Sequence, residues 1–211
     1  MRTLIAIPCM DMMHTPFVIS LTGLRVKGEI KFAYSASSLV YDSRNGLARR
    51  AIVEKFDRVL WLDSDMQFEP DLFQKLSDDL DDGRDFVSGL YFTRKPPYKP
   101  VIFKKAGYEH IGDGVKPTAE AYYDYPDGIF EVAAAGFGGV MMNVSLLREV
   151  EKNYGLPFSP IMGFGEDISF CLRVQELGKK MWCDSSVKMG HVGQFVYDEK
   201  SCRGDLYAGK S

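Results

Sequence analysis

Apolar and polar positions along this chain alternate between two kinds of segment. Thr3 to Ile7 is a continuous apolar run closed by Pro8, Glu29 to Ser35 is a second β-rich run, and Arg58 to Leu62 is a third. Short unbroken apolar runs indicate strands buried in a sheet. Between the second and third, Leu39, Leu47, Ala51, Ile52 and Phe56 fall roughly on one face of a helix. After the third, Glu69-Pro70-Asp71 opens a short helix, with Pro near its first position and acids in its first turn. Leu72, Phe73, Leu76 and Leu80 form its apolar face, Gly83 stops it, and Asp85 to Phe92 is another strand. Strand and helix in alternation are the signature of βαβ units and an α/β fold.

The second half changes character. Tyr98 to Lys104 and Gly128 to Ala135 read as strands, separated by a Gly- and Tyr-rich stretch from Ala106 to Asp127 that is expected to be irregular and exposed, a substrate-facing loop. Val140-Met141-Met142 is a short buried strand after Gly136-Phe137-Gly138-Gly139. Ser145 to Tyr154 forms a helix capped by Asn143 or Ser145. Glu166 to Leu177 is amphipathic through Ile168, Cys171, Leu172 and Gln175 and ends at Gly178. Met181 to Ser185 is the final strand, and the tail after His191 has few apolar signals.

At 211 residues the chain fits one domain, 1–211, with two working halves at about 1–92 and 93–193 and a tail at 194–211. A net charge of −3 argues against general nucleic-acid binding, which normally needs a basic face. Short basic groups such as Arg94-Lys95 and Lys104-Lys105 read as solvated surface. No run reaches the length of a membrane span, and the apolar N-terminal stretch is too short for a signal sequence. Cys9, Cys171, Cys183 and Cys202 show no paired spacing and read as free thiols of a reducing compartment, hence a cytoplasmic protein.

The chemistry concentrates at Val59-Leu60-Trp61-Leu62-Asp63-Ser64-Asp65-Met66, an apolar strand ending in two acids at i, i+2. Such acids are costly at the tip of a dry strand unless something positive meets them. The carboxyl ends of parallel strands open on a ligand crevice, and Mg²⁺ or Mn²⁺ with a diphosphate suits a pair of carboxylates. Asp-Ser-Asp is also good turn chemistry. Glu166-Asp167 at a helix start reads either as capping or as a carboxylate kept ionised by the helix end and able to act as a general base. His191, flanked by Gly190 and Gly193, is either structural or a further metal ligand. Gly136-Phe137-Gly138-Gly139 is either a bulge or a place where a sugar presses on the main chain. Arg44, in Asp42-Ser43-Arg44-Asn45-Gly46, is either a solvated charge or a guanidinium near a diphosphate.

Taken in order, these pieces resemble the GT-A-fold nucleotide-sugar glycosyltransferases, most closely the family 2-like group and its small bacterial and phage-type members. The resemblance runs from Ile5-Ala6-Ile7-Pro8 through Arg44-Asn45, the D-x-D at Asp63 to Asp65, the Gly-rich junction and Glu166-Asp167 to His191. It implies a Rossmann-like, mostly parallel sheet flanked by helices, with a smaller antiparallel acceptor-side portion. It implies that Pro8, Cys9, Met10, Arg44, Asp63, Ser64, Gly138 and Gly139 bind a UDP- or GDP-type donor, and that Asp63, Asp65 and His191 hold Mn²⁺ or Mg²⁺. Asp167 would be the base toward the acceptor hydroxyl, with Glu166 beside it. No Q-x-x-R-W motif is present, which excludes the processive synthase type. Retaining relatives share the D-x-D and late His, so stereochemistry stays open, with inversion favoured.

A sugar-phosphate nucleotidyltransferase is the second reading, but it needs a Gly-rich basic loop where the chain has Pro8-Cys9-Met10. A non-catalytic nucleotide- or sugar-binding domain is the third. The acceptor (glycan, lipid, protein or small molecule) is left open. Tyr122-Tyr123-Asp124-Tyr125-Pro126 would stack on it or fold back on the sheet, and exposed aromatics would also serve a homodimer.

Overall fold

The computed structural model of the chain describes residues 1–10, 12–112 and 114–193. Its elements, in chain order, are β1 (Arg2–Cys9), α1 (Thr15–Gly23), β2 (Glu29–Ala36), α2 (Val40–Val53), β3 (Arg58–Leu62), β4 (Met66–Phe68), α3 (Leu72–Asp81) and β5 (Phe86–Leu90). They continue as β6 (Ile102–Ile111), β7 (Gly114–Ala121), β8 (Ile129–Val132), β9 (Ala134–Ala135), β10 (Gly139–Asn143), α4 (Val144–Tyr154), α5 (Glu166–Glu176) and β11 (Met181–His191).

An 8-stranded sheet runs in the order β2-β1-β3-β10-β5-β11-β4, with β8 also pairing with β11. Strands β2, β1, β3, β5 and β11 point one way, and β10, β4 and β8 oppose them. The α/β fold with a mixed, largely parallel sheet is the one expected. A separate 3-stranded antiparallel sheet, β7-β6-β9, is the smaller portion. The strands β10 and β11 come from the second half of the chain yet lie in the main sheet beside β3 and β5, so both halves contribute to that sheet.

The apolar runs form the central strands because burial on both faces rewards residues without polar atoms. Leu4 to Ile7 and Val59 to Leu62 have no exposed surface. On one side α2, α4 and α5 cover a core containing Trp61, Phe137, Phe158 and Phe170. Their rings meet at 4.8 Å for Phe158 and Phe170 and 5.0 Å for Trp61 and Phe158. On the other side α1 and α3 cover Ile5, Leu60, Phe73 and Leu76. The strand β2 is an edge, which leaves Phe32 and Tyr34 exposed.

The structure departs from the sequence reading in several places. The stretch from Ala106 to Asp127 is exposed in large part but not irregular: β6 and β7 pair from Phe103↔Ala121 to Ile111↔Gly114. In β7, Val115, Pro117, Ala119 and Ala121 alternate with Lys116, Thr118 and Glu120, but a Pro inside the run and the lack of large apolar side chains hide the strand; Gly112 at φ 57 supplies the turn. The helix α1 spreads Phe17, Val18, Ile19 and Leu21 around its axis and so shows no helical period, and β4 is only three residues long. The last strand continues past Ser185 to His191 through an irregularity between Asp184 and Lys188. Asn143 does stand at the N-cap of α4, but its side chain donates to Arg84 O and Asp85 Oδ1 instead of capping. Cys9, Cys171 and Cys183 are free thiols; Cys202 and the tail from 194 onward lie outside the described residues.

Candidate active site

The carboxyl ends of β1, β3 and β5 share one rim of the sheet, and a cleft of about 410 Å³ opens along it. Pro8, Cys9, Met10, Arg44, Asp63, Ser64, Asp65, Glu166, Asp167 and His191 all line it, together with Arg94. Residues separated by more than 180 positions in sequence meet there because their strands end on the same edge.

Asp63, Ser64 and Asp65 form the turn between β3 and β4. The Met66 amide donates to Asp63 O at 3.1 Å, and the Asp63 amide donates across to Gly138 O at 3.3 Å. Strand β11 then pairs antiparallel with β4 so that His191 stands opposite Met66, one residue beyond Asp65. The Val192 amide closes the return by donating to Asp65 O at 2.7 Å. This register places His191 Nε2 3.4 Å from Asp65 Oδ2.

Three contacts orient the imidazole. Its Nδ1 lies 3.0 Å from Phe92 O, and a carbonyl can only accept, so Nδ1 carries the proton and the neutral ring turns the Nε2 lone pair toward Asp65. The Tyr91 ring meets the imidazole edge-on at 5.6 Å. When the ring is protonated Nε2 donates to Asp65 instead, and that hydrogen bond raises the His191 pKa against the effect of its burial. Burial alone would raise Asp65; the His191 hydrogen bond and the Arg94 charge outweigh it and hold Asp65 below the ordinary carboxylate value. Two donors about 2.1–2.2 Å from one ion, at about 100°, lie roughly 3.3 Å apart, so the Asp65–His191 spacing fits a shared divalent cation. Among the described residues no three His, Cys, Asp or Glu side chains gather into a ready-made cage. An ion at this pair would need substrate oxygens to complete its sphere, which is how Mg²⁺ ordinarily binds.

Arg44 lies beneath the aspartates. Its side chain is 3% exposed; Nη2 donates to Asp63 Oδ1 at 2.8 Å and Nε donates to Glu166 Oε1 at 3.1 Å. Its guanidinium carbon sits 5.2 Å from the Phe137 ring centre and 5.8 Å from that of Trp61. Burial would lower its pKa, but Asp63 and Glu166 raise it, so it stays charged. Arg44 therefore ties the end of β3 to the start of α5. Burial pushes Asp63 up, to about 6, despite the Arg44 charge.

Asp167 stands in the first turn of α5, where its Oδ1 accepts from the Ile168 amide at 2.7 Å. The sequence reading expects the helix end to keep this group ionised near neutral pH. In the structure burial, and then the neighbouring Glu166 charge, raise its pKa and outweigh the amide donors. That shift moves the carboxylate toward the range in which it can take a proton.

Gly138 and Gly139 do not line the cleft. Both are buried, and a Cβ on Gly138 would lie 2.9 Å from Tyr91 Cζ, one on Gly139 2.3 Å from Met189 Sδ. They make room for side chains beneath the site. Ser37, Ser38, Val40 and Ser43 also line the cleft unpredicted, and Arg94 is the charged residue that sequence reasoning missed: read as solvated surface, it places Nη1 3.0 Å from Asp65 Oδ2. The available signal was its position just past the end of a buried strand on the rim that carries Asp63 and Asp65. Burial pushes the Cys9 thiol up, away from the thiolate form.

No protein-family model and no curated protein sequence matches the chain. Solved structures do match. The crystal structure of A197 from STIV superposes with a TM-score of 0.65 at 20% identity, over 92% of this chain and 87% of that one. A crystal structure of GalNAc-T7 with UDP, GalNAc and Mn²⁺ superposes with a TM-score of 0.59 at 12% identity, over 92% of this chain. This chain spans only 44% of the length of that GalNAc-T7 chain. At such identities the likeness is one of fold, and the fold is GT-A-like.

Proposed function

We propose that this chain is a metal-dependent glycosyltransferase that moves a sugar from a nucleoside-diphosphate sugar of UDP or GDP type to an acceptor hydroxyl. The observation that carries the reading is the Asp65–His191 pair, 3.4 Å apart at the carboxyl rim with the imidazole proton tied up by Phe92 O. A fold of the same kind is known with UDP, GalNAc and Mn²⁺ bound in GalNAc-T7. Mn²⁺ or Mg²⁺ would be held by Asp65 and His191, with Asp63 beside them, and would supply Lewis-acid stabilisation of the leaving diphosphate.

The chain's own residues do the rest. Pro8, Cys9 and Met10 bound the nucleoside end of the cleft, and Asp63, fixed by Arg44, accepts from the ribose. Asp167 takes the proton of the acceptor hydroxyl as its oxygen attacks the anomeric carbon and the bond from that carbon to the diphosphate oxygen breaks. In that displacement the acceptor oxygen enters opposite the departing diphosphate, so configuration inverts. Glu166 accepts from Arg44 Nε and so maintains the start of α5. Among the described residues no helix is long and apolar enough to cross a membrane.

Thermal-shift titration with UDP, GDP, CDP and dTDP, each with and without Mn²⁺, tests this. One nucleotide should raise the Tm in a Mn²⁺-dependent way, and Asp65→Ala or His191→Ala should abolish that rise. A flat response to all four nucleotides would sink the proposal. A rise that is equal without metal would remove Asp65 and His191 from the role given to them.

A further inference from the structure

We propose, building on the transferase reading, that Arg94 is a leaving-group residue: it neutralises Asp65 in the resting protein and transfers to the diphosphate when a divalent cation takes Asp65. The two aspartates of the rim each have an arginine, and the arginines differ in kind. Arg44, on Asp63, is 3% exposed and locked between Asp63 and Glu166. Arg94, on Asp65, is 47% exposed, and among the described residues its other hydrogen-bond partner is Val192 O, at 3.4 Å. An ion pair this exposed is worth no more than about a fivefold preference.

The backbone at Arg94 is nevertheless fixed. The Thr93 amide donates to Lys99 O at 2.9 Å, and the Lys99 amide donates to Thr93 Oγ1 at 3.0 Å, so the loop after β5 is pinned on either side of a loosely held head group. The stem passes over a glycine: a Cβ on Gly193 would lie 3.2 Å from Arg94 Cδ. Arg94 and His191 form the wall between the 410 Å³ cleft and an adjoining groove of about 430 Å³ that includes Phe92, Tyr98 and Met189. The guanidinium therefore has open space on both sides.

The charge arithmetic supplies the direction of movement. Asp65 Oδ2 already faces two groups, Arg94 Nη1 at 3.0 Å and His191 Nε2 at 3.4 Å. A divalent cation shared by Asp65 and His191 would repel a guanidinium on the same oxygen, unless an anion lies between them. A diphosphate bound to that cation is such an anion, and the planar fork of arginine matches phosphate oxygens. Arg94 thus competes with the bare metal and cooperates with the metal once diphosphate is present.

The test uses the purified full chain and its Arg94→Ala and Arg94→Lys variants. Calorimetry would measure Mn²⁺ alone, then UDP and GDP with Mn²⁺, then uridine and guanosine. Arg94→Ala should bind Mn²⁺ alone at least twofold more tightly and the nucleoside diphosphate roughly 10- to 100-fold more weakly, with the nucleoside unaffected. Arg94→Lys should recover part of the diphosphate affinity. Because the side chain is half-exposed, the unliganded Tm should stay unchanged, which separates these effects from misfolding. Equal diphosphate affinity in wild type and Arg94→Ala, or Mn²⁺ binding no tighter in the variant, overturns the assignment alone. A wild-type protein that takes up no nucleotide overturns both the transferase reading and this one.

Discussion

Replacing Arg44 by Met should cost the protein stability in a way that depends steeply on pH. The guanidinium is 3% exposed and faces Asp63 and Glu166, whose side chains are 29% and 15% exposed. Methionine keeps most of the packing against Trp61 and Phe137 but leaves both carboxylates without their cation. Removing one partner of a buried pair costs about 3–5 kcal/mol, and the partial exposure of Asp63 puts this case toward the lower end. In a chain of this size about 1 kcal/mol moves the Tm by roughly 2–4 °C, so the loss at pH 8 should be about 10 °C. The sign of the pH effect follows from the acids. Without Arg44 the folded-state pKa of Asp63, already about 6, rises further above its unfolded value, so the folded variant takes up protons more readily. Its deficit should shrink as the pH falls from 8 toward 5. Differential scanning fluorimetry of wild type and Arg44→Met across that range decides the matter, and adding Glu166→Gln should return part of the loss at pH 8. A deficit under 2 °C that is flat with pH would refute the view of Arg44 as the clamp between β3 and α5.

Two further expectations rest on other carboxylates. Asp167→Asn should lower the transfer rate by about 10²- to 10⁴-fold while leaving Mn²⁺-dependent nucleotide binding within a few fold, and steady-state kinetics with nucleotide titration would expose the opposite pattern. Asp79, near the end of α3, has its folded pKa raised to about 6, first by burial and then by the Asp184 charge, with Oδ2 buried and without a hydrogen-bond partner among the described residues. A raised carboxyl stabilises the fold below its unfolded value near 3.8 and loses that contribution as the pH climbs through 6. Asp79→Asn should therefore be more stable than wild type by about 1 kcal/mol at pH 8, after allowance for solvent, with the gap closing near pH 4.5. Parallel Tm curves for the two proteins would contradict it.

The sequence alone determined the strands whose apolar runs cannot be placed anywhere but in a core, β1 and β3 above all, and the helices α3 and α5 with a clear apolar face. It also put Asp63 and Asp65 at the tip of a buried strand and Glu166 and Asp167 at a helix start, because charge at those boundaries stands out against its surroundings. Local pattern could not supply partners. Whether Arg44 met solvent, a diphosphate or an aspartate depended on how closely α2 packs beneath the end of β3, and the answer was a buried bridge to Asp63 and Glu166. Whether Gly138 and Gly139 bordered a ligand depended on Tyr91 and Met189 already filling the space beside them. His191 reached Asp65 only through the pairing of β11 with β4, a three-residue strand too short to leave a period. Arg94 joined the site because β5 ends on the same rim as β3, with β10 between them. Burial and periodicity are properties of neighbours in sequence, whereas a charge is defined by what lies across from it, and only the packed sheet decides that.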